Sequence, residues 1–223
     1  QSGGVVSGGG AWFGGATTVT NTVFASNDSP YQGGGLACWS GCVAVVSRSA
    51  LLGNTALSGG GALNFGQLTF ANTTFAANSA IGDGGAIAAA GSVSLLNCTV
   101  VGNSSPGVSS VSSSGVLHVK NTIIANCLGG GVCCAASVLK SQTHNLVQDG
   151  TCSATLKGPP GLEMLQDNGG PTPTIALLAG SPARDVGDAA VCAAAPVGGV
   201  DQRGVARPQG AHCDIGAFEL AAP

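Results

Sequence analysis

What most limits the fold of this chain is a pair of signals that returns about every 25 residues. A Gly-Gly-Ala/Leu step recurs with the residue after the glycines at Ala11, Leu36, Ala62 and Ala86, giving intervals of 25, 26 and 24. About fifteen residues after each step come an apolar residue, two small residues and an Asn. These copies run Phe24 to Asn27, Leu51 to Asn54, Phe75 to Asn78, Val100 to Asn103 and Ile123 to Asn126, with the Asn positions 27, 24, 25 and 23 apart. A unit this short cannot bury its apolar face alone, so neighbouring units must stack. Anchored on Asn21, Arg48, Asn72, Asn97 and Asn121, the position two before reads Val19, Val46, Phe70, Leu95 and Val119. The position four before reads Thr17, Ala44, Leu68, Val93 and Leu117. Period two is a strand signal. A further apolar column (Phe24, Leu51, Phe75, Val100, Ile124) lies beyond a bend, so each unit is expected to carry at least two short strands.

Short strands arranged one rung per repeat are satisfied by a parallel β-solenoid, in which each rung bonds to rungs about 4.8 Å above and below and like side chains stack. Glycine suits turns with positive φ. The recurrent Asn27, Asn54, Asn78, Asn103 and Asn126 are expected to form a structural ladder, because Asn tolerates tight turns and its amide bonds to the next copy along the axis.

One elongated domain is expected from 223 residues in a single register. Coils fill residues 1–157, with an irregular stretch over 127–157, and a Pro/Gly-rich segment over 158–223 packs on the same domain as a cap. Eight of the ten prolines lie beyond residue 158, and proline cannot donate to a ladder. That segment is expected to cover the open end of the solenoid, since an uncovered edge invites association.

Charged residues make up 8% of the chain, yet no run approaches the roughly 20 apolar residues of a spanning helix. The net charge of −3 and the lack of a basic cluster give nucleic acid no footprint. Gln1 as first residue reads as a processed or trimmed start. Nine cysteines without a CxxC pair favour disulfides in an oxidising compartment over zinc. Cys38 is paired with Cys42 and Cys192 with Cys213, while Cys127, Cys133, Cys134 and Cys152 pair among themselves in an order the sequence leaves open. Cys98 is left over, in a column with Thr73 and Thr122 where a thiol packs without reacting.

Gly84-Gly85-Ala86-Ile87 and Phe75-Ala76-Ala77-Asn78 resemble the repeat of the polymorphic outer-membrane protein family, whose passenger regions are right-handed parallel β-helices of the pectin-lyase-like superfamily. The tail resembles the ending of secreted bacterial β-helix proteins of the choice-of-anchor type. The matching stretches are Asp167 to Thr174, Leu178 to Ala183, and Asp201 to Pro208 running on to Cys213-Asp214-Ile215-Gly216-Ala217-Phe218-Glu219. The resemblance implies an all-β, right-handed, single-stranded parallel β-helix with an irregular C-terminal cap. It also implies a passenger fragment or free secreted form, and it bears on architecture more than on activity.

Many parallel β-helices of that superfamily cleave acidic polysaccharides. Such chemistry needs paired carboxylates or a carboxylate-bound Ca²⁺ with a basic residue. Over residues 7–126 the charged side chains are Asp28, Arg48, Asp83 and Lys120, and both Asp residues fall in turns at different places in their repeats. No catalytic residue is therefore assigned. His118 is read as outward polar surface, and the glycine triplets lack the Lys-Ser/Thr of a phosphate loop. Asp185, Asp188, Asp201, Arg203, Arg207, Asp214 and Glu219 are expected to form an ion-pair network fixing the tail. No cofactor is called for, although the Asp185-Val186-Gly187-Asp188 turn leaves a structural Ca²⁺ open. Sequons make Asn27, Asn72, Asn97 and Asn103 candidates for glycosylation, except where the amide lies in an inward ladder.

The expected role is a structural or adhesive element, secreted or on a cell surface, including as a subunit of an extracellular fibre, with copies of itself or surface and matrix components, glycans included, as partners. A polysaccharide-active enzyme is the alternative. An ice- or glycan-binding face using Thr17, Thr18, Thr20, Thr69, Thr73 and Thr74 stands third.

Overall fold

A computed structural model describes residues 8–106, 109–129 and 131–221. The chain winds into an all-β parallel solenoid of about six turns with almost no helix. Each regular coil carries up to four strands, within the expectation of at least two. The first is Ala11–Phe13, Leu36–Cys38, Ala62–Asn64 and Ile87–Ala89 in successive coils. The second is Ala16–Thr20, Val43–Ser47, Gln67–Ala71 and Ser92–Leu96. In the fifth and sixth coils first and second strands fuse into Ser109–Lys120 and Val132–Thr143. The third is Val23–Ala25, Ala50–Leu52, Thr74–Ala76, Thr99–Val101, Ile123–Ala125 and Leu146–Val147. The short fourth strand is Asp28–Gln32, Thr55–Ser58 and Ser79–Ala80.

Every rung pairs in parallel with its neighbours, and the inward column Val19, Val46, Phe70, Leu95, Val119 stacks in register. Phe70 and Phe75 meet edge to face in the core, ring centroids 4.8 Å apart. Register also corrects the glycine step. Ala62 stands over Ile87 and not over Ala86, so the last copy of that step is Gly85-Ala86-Ile87.

Three corners turn each coil, and backbone geometry explains their residues. Between second and third strands, Asn21, Arg48, Asn72, Asn97, Asn121 and His144 hold φ between 47° and 54°, a region that Asn enters at less cost than most residues. Between third and fourth strands, Ser26, Gly53, Ala77, Gly102 and Asn126 have positive φ. At the third corner Gly59 has φ +67°, and a Cβ on Gly60 would lie 2.4 Å from the Ser79 carbonyl oxygen in the next coil. Only glycine permits that approach.

The proline-rich tail does not sit over the end of the solenoid. It runs along the side, against the first corner and the outer face of the third strands. Its contacts with the shaft reach from Arg48, whose carbonyl accepts from Thr172 Oγ1 at 3.3 Å, to Ile123 and Leu146, which pack with Leu177, Ala183 and Ile215. The far end of the core is instead packed by Cys152 and Ala154. The sequence expectation of an end cap fails for a physical reason. The outward third-strand side chains of the later coils, such as Thr74, Thr99 and Ile123, form a face that needs its own cover.

Candidate functional site: the long faces of the shaft

The ladder expected from the sequence is built from four Asn residues, not five. Asn27, Asn54 and Asn78 each donate from Nδ2 to Oδ1 of the next Asn at 2.8 Å, and their backbone N–H groups reach the same oxygen at 3.0 Å, ending on Asn103. The amides of Asn54 and Asn78 also donate back to the carbonyls of Phe24 and Leu51. Asn126 does not belong to this column. Ile124 pairs with Val100, so Asn126 falls opposite Gly102 at the positive-φ corner, exposed, and Cys127 takes the ladder position. A thiol there cannot pass the hydrogen bond on, and Cys127 is tied to Cys133 instead.

The other disulfides are Cys38–Cys42, Cys134–Cys152 and Cys192–Cys213, and Cys98 is free. Cys98 is fully buried, and that desolvation pushes its thiol up to about 12. Burial also removes most of the glycosylation candidates. Asn72, Asn97 and Asn103 have no exposed surface, and the Nδ2 of each donates to a neighbour within the fold. Asn27 is half-buried with its amide held by Asn54. The threonines are likewise divided. Thr18, Thr20 and Thr69 lie outward on the second strands, whereas Thr17 points inward, Thr73 is buried and Thr74 lies under the tail bonded to Gln202 at 2.7 Å.

The tail's charges converge as a cluster. Arg207 Nη1 lies 2.7 Å from Glu219 Oε2, both buried, and the same guanidinium donates to the carbonyls of Asp214 and Gly216. Asp201 pairs with Arg203 at 2.7 Å and also accepts from the N–H groups of Val205 and Glu219. Among the described residues Asp185 and Asp188 form no ion pair with Arg203 or Arg207, although the Asp185 N–H donates to Asp214 Oδ1 at 2.7 Å. Asp188 caps the helix Ala189–Ala193, accepting from Ala190 and Val191 N–H, and Asp185 lies 3.4 Å from Arg184. Both carboxylates of the turn that left Ca²⁺ open are thus engaged by the protein's own donors. Among the described residues no three His, Cys, Asp or Glu side chains group as metal ligands.

With one side strapped, a shallow trough lies on the outer face of the first strands. Its floor is Ala37, Leu63 and Ala88, almost fully buried although they point outward. Gln32, Ser58 and Asp83 form one wall, and Phe65 and Ala90 the other, enclosing a trough of about 190 Å³. Trp39 and Phe65, one coil apart, meet edge to face at 4.6 Å. Beyond the polar wall stand Tyr31, Leu57 and Ile81, which are 51%, 45% and 76% exposed on three successive coils. The Ile81 N–H bonds to the Ala56 carbonyl and that of Gly82 to Leu57, which sets Ile81 beside Leu57. Sequence reasoning passed over these rows. Their signal was available, because Trp39 and Phe65 are 26 residues apart and Tyr31, Leu57 and Ile81 are 26 and 24 apart, which are coil intervals.

Asp83 is the ionisable group on this trough. Asp28 lies in the fourth strand and accepts from the hydroxyl of Thr55. Arg48 reaches Thr20 Oγ1 at 3.4 Å.

The sequence matches the family described as right handed beta helix region over residues 3–158. No curated protein matches it, and no solved structure does.

Proposed function

Because the chain belongs to the right-handed β-helix family, we propose that it serves as a structural or adhesive element outside the cell, holding a partner along its exposed long face. The observation that carries this reading is the trough with its two flanking rows. Exposed apolar side chains recurring at coil intervals over three coils form a patch, and such patches mark interaction sites. Four disulfides support an oxidising compartment, and no helix among the described residues is long and apolar enough to cross a membrane. The finer placement, as a passenger-type surface protein, rests on the Gly-Gly-Ala-Ile and Phe-x-x-Asn pair and on the tail motifs. The partner is a surface or matrix component, glycans included, or another copy of the chain.

Binding to immobilised cell-surface and matrix polysaccharides tests the reading. Leu57→Asp with Ile81→Asp changes only exposed positions and should abolish capture. Capture that survives both substitutions removes the exposed row of Tyr31, Leu57 and Ile81 from the account.

A second reading, a polysaccharide-active enzyme, is favoured by one observation: Asp83 stands on the wall of a trough that also presents Phe65. Incubation with acidic and neutral polysaccharides, with and without Ca²⁺, decides between them. New reducing ends or unsaturated products, lost in Asp83→Asn, would make the enzyme reading the correct one. Electron microscopy of concentrated protein tests the fibre form of the structural reading, which requires units joined end to end.

A further inference from the structure

Where most of the shaft is uncharged, cations gather at one place. The strands Ser109–Lys120 and Val132–Thr143 pair with Leu117 opposite Leu139 but His118 opposite Ser141, so Lys140 is an extra residue in the ladder. A bulge of this kind bends the strand and re-aims a side chain. It brings Lys140 next to His118 on the outer face, and Lys120, two residues on from His118, points the same way. Burial and the two ammonium charges hold His118 below the ordinary histidine range, the expected result of having both cations close. His118 Nδ1 lies 2.7 Å from Ser141 Oγ. Lys120, Lys140, Ser141, Gln142 and Thr143 line an open cleft of about 400 Å³.

Among the described residues neither lysine forms an ion pair. The carboxylate that reaches this cleft is Asp188, already committed to capping a helix. Like charges on neighbouring strands destabilise a sheet, so nothing in the folding of the coil calls for this arrangement. A bound anion would. No guanidinium lines the cleft. Arginine's planar fork matches carboxylates, whereas ammonium groups act as point charges that suit a tetrahedral group with oxygens in several directions.

We propose that the bulge at Lys140 is an oxyanion site, which takes a sulfate or phosphate monoester group between Lys120 and Lys140 with the Ser141 hydroxyl as directional donor and His118 behind it. In the free protein the Ser141 hydroxyl donates to a neutral imidazole. When the anion binds, the hydroxyl turns to it, and the imidazole takes up a proton from solvent and donates from Nδ1 to Ser141 Oγ. The groups facing His118 are Lys120 on its own strand, Lys140 and Ser141 on the next coil and Ser94 on the previous one. Sulfate binding therefore strengthens as pH falls through the histidine range, whereas a phosphate monoester, whose second pKa is about 6, loses charge in the same window. The site lies on the second-strand face and can fail without affecting the adhesive reading of the trough.

The test is an NMR titration of the His118 ring in the full chain at low salt, with inorganic sulfate, inorganic phosphate and acetate. Sulfate and phosphate are expected to give a saturable shift and to raise the His118 pKa, with acetate binding several-fold more weakly. Lys120→Gln and Lys140→Gln should each weaken binding roughly tenfold, the loss of one charge-assisted contact. Ser141→Ala should weaken it a few-fold, and Lys157→Gln should change nothing. A response that is unsaturable, that survives loss of both lysines, or that is as strong for acetate overturns the proposal. Sulfated and phosphorylated monosaccharides then identify the source of the group, and if neither displaces the inorganic ion the monoester assignment falls.

Discussion

The shaft and the tail both bury many polar groups, and they satisfy them by opposite means. In the shaft, Asn78 gives its amide to Asn103 and to the Leu51 carbonyl, and its own carbonyl receives the N–H and the amide of Asn54. A neutral residue is completed by copies of itself one coil away. The tail has no copies, so it completes its buried groups with charge: Glu219 accepts from Arg207, Gln209 and Asp214, and Asp214 accepts from Asp185 and Leu220. Repetition replaces ions where the chain repeats, and a specific network replaces repetition where it does not. The regions meet at Asn72, Asn97 and Asn121, where corner residues set by backbone geometry lend their side chains to Val197, Asp214 and Asp188.

The largest effect is expected from breaking the tail's network. Arg207→Ala leaves Glu219 buried without its partner, at a cost of about 3–5 kcal/mol. The cost should fall on the tail alone. Limited proteolysis should gain cuts beyond residue 158 while Cys98, buried in the shaft, stays closed to alkylation. If Cys98 opens together with the tail, the two regions are one cooperative unit and the comparison fails. The double replacement Arg207→Met with Glu219→Leu should be milder than either single change, because no charge is left unpaired. Opening the Cys192–Cys213 disulfide, which spans 21 residues, should cost about 3 kcal/mol, read as a lower urea midpoint for the tail transition.

Within the shaft the matching change is Asn78→Ala, which takes the acceptor from one amide N–H and from the backbone N–H of buried Asn54 and should cost about 2 kcal/mol. Asn27→Ala, at the half-buried start of the ladder, should cost about half as much. Equal losses at the two positions would mean that stacking along the ladder contributes nothing beyond local turns. Urea unfolding followed by Cys98 alkylation gives both values.

The same contrast explains what could be read from the sequence. Period-two columns and the coil interval give the shaft, its inward stacks and most of the ladder, because stacking makes like residues recur. Asn126 misled because two adjacent positions of the same corner favour Asn. The first wants a backbone at positive φ and the second a side chain that bonds along the axis, and the shortest interval, 23, marks the slip. The sequons failed for a related reason, since Asn72 and Asn97 occupy a corner that looks solvent-facing until the tail lies over it. The path of that tail had no periodic signal. Its contacts join residues such as Thr74 and Gln202, 128 apart, that meet once each.

The finest separation of shaft from tail is in pH. At the end of the shaft, burial disfavours the charged form of Asp149, but N–H bonds from Cys133 and Thr151 and the Thr151 hydroxyl outweigh it and hold the carboxyl below its ordinary range. A depressed acid contributes stability above its unfolded pKa and loses it as pH falls through the folded value. In the tail, burial pushes Asp214 and Glu219 up, and neither the Arg207 guanidinium nor the donated N–H bonds offset it. Asp201, Asp214 and Glu219 outnumber the two guanidiniums of Arg203 and Arg207 in that cluster. A raised acid binds more protons folded than unfolded, so its region is most stable below the ordinary carboxylate pKa and weakens as pH climbs to the raised value. Amide exchange, corrected for its intrinsic pH dependence, should therefore slow at Asp214 and Leu220 as pH falls from neutral into the carboxylate range. At still lower pH it should quicken at Cys133 and Thr151. If both pairs respond with the same sign, the two regions do not differ in how they carry charge.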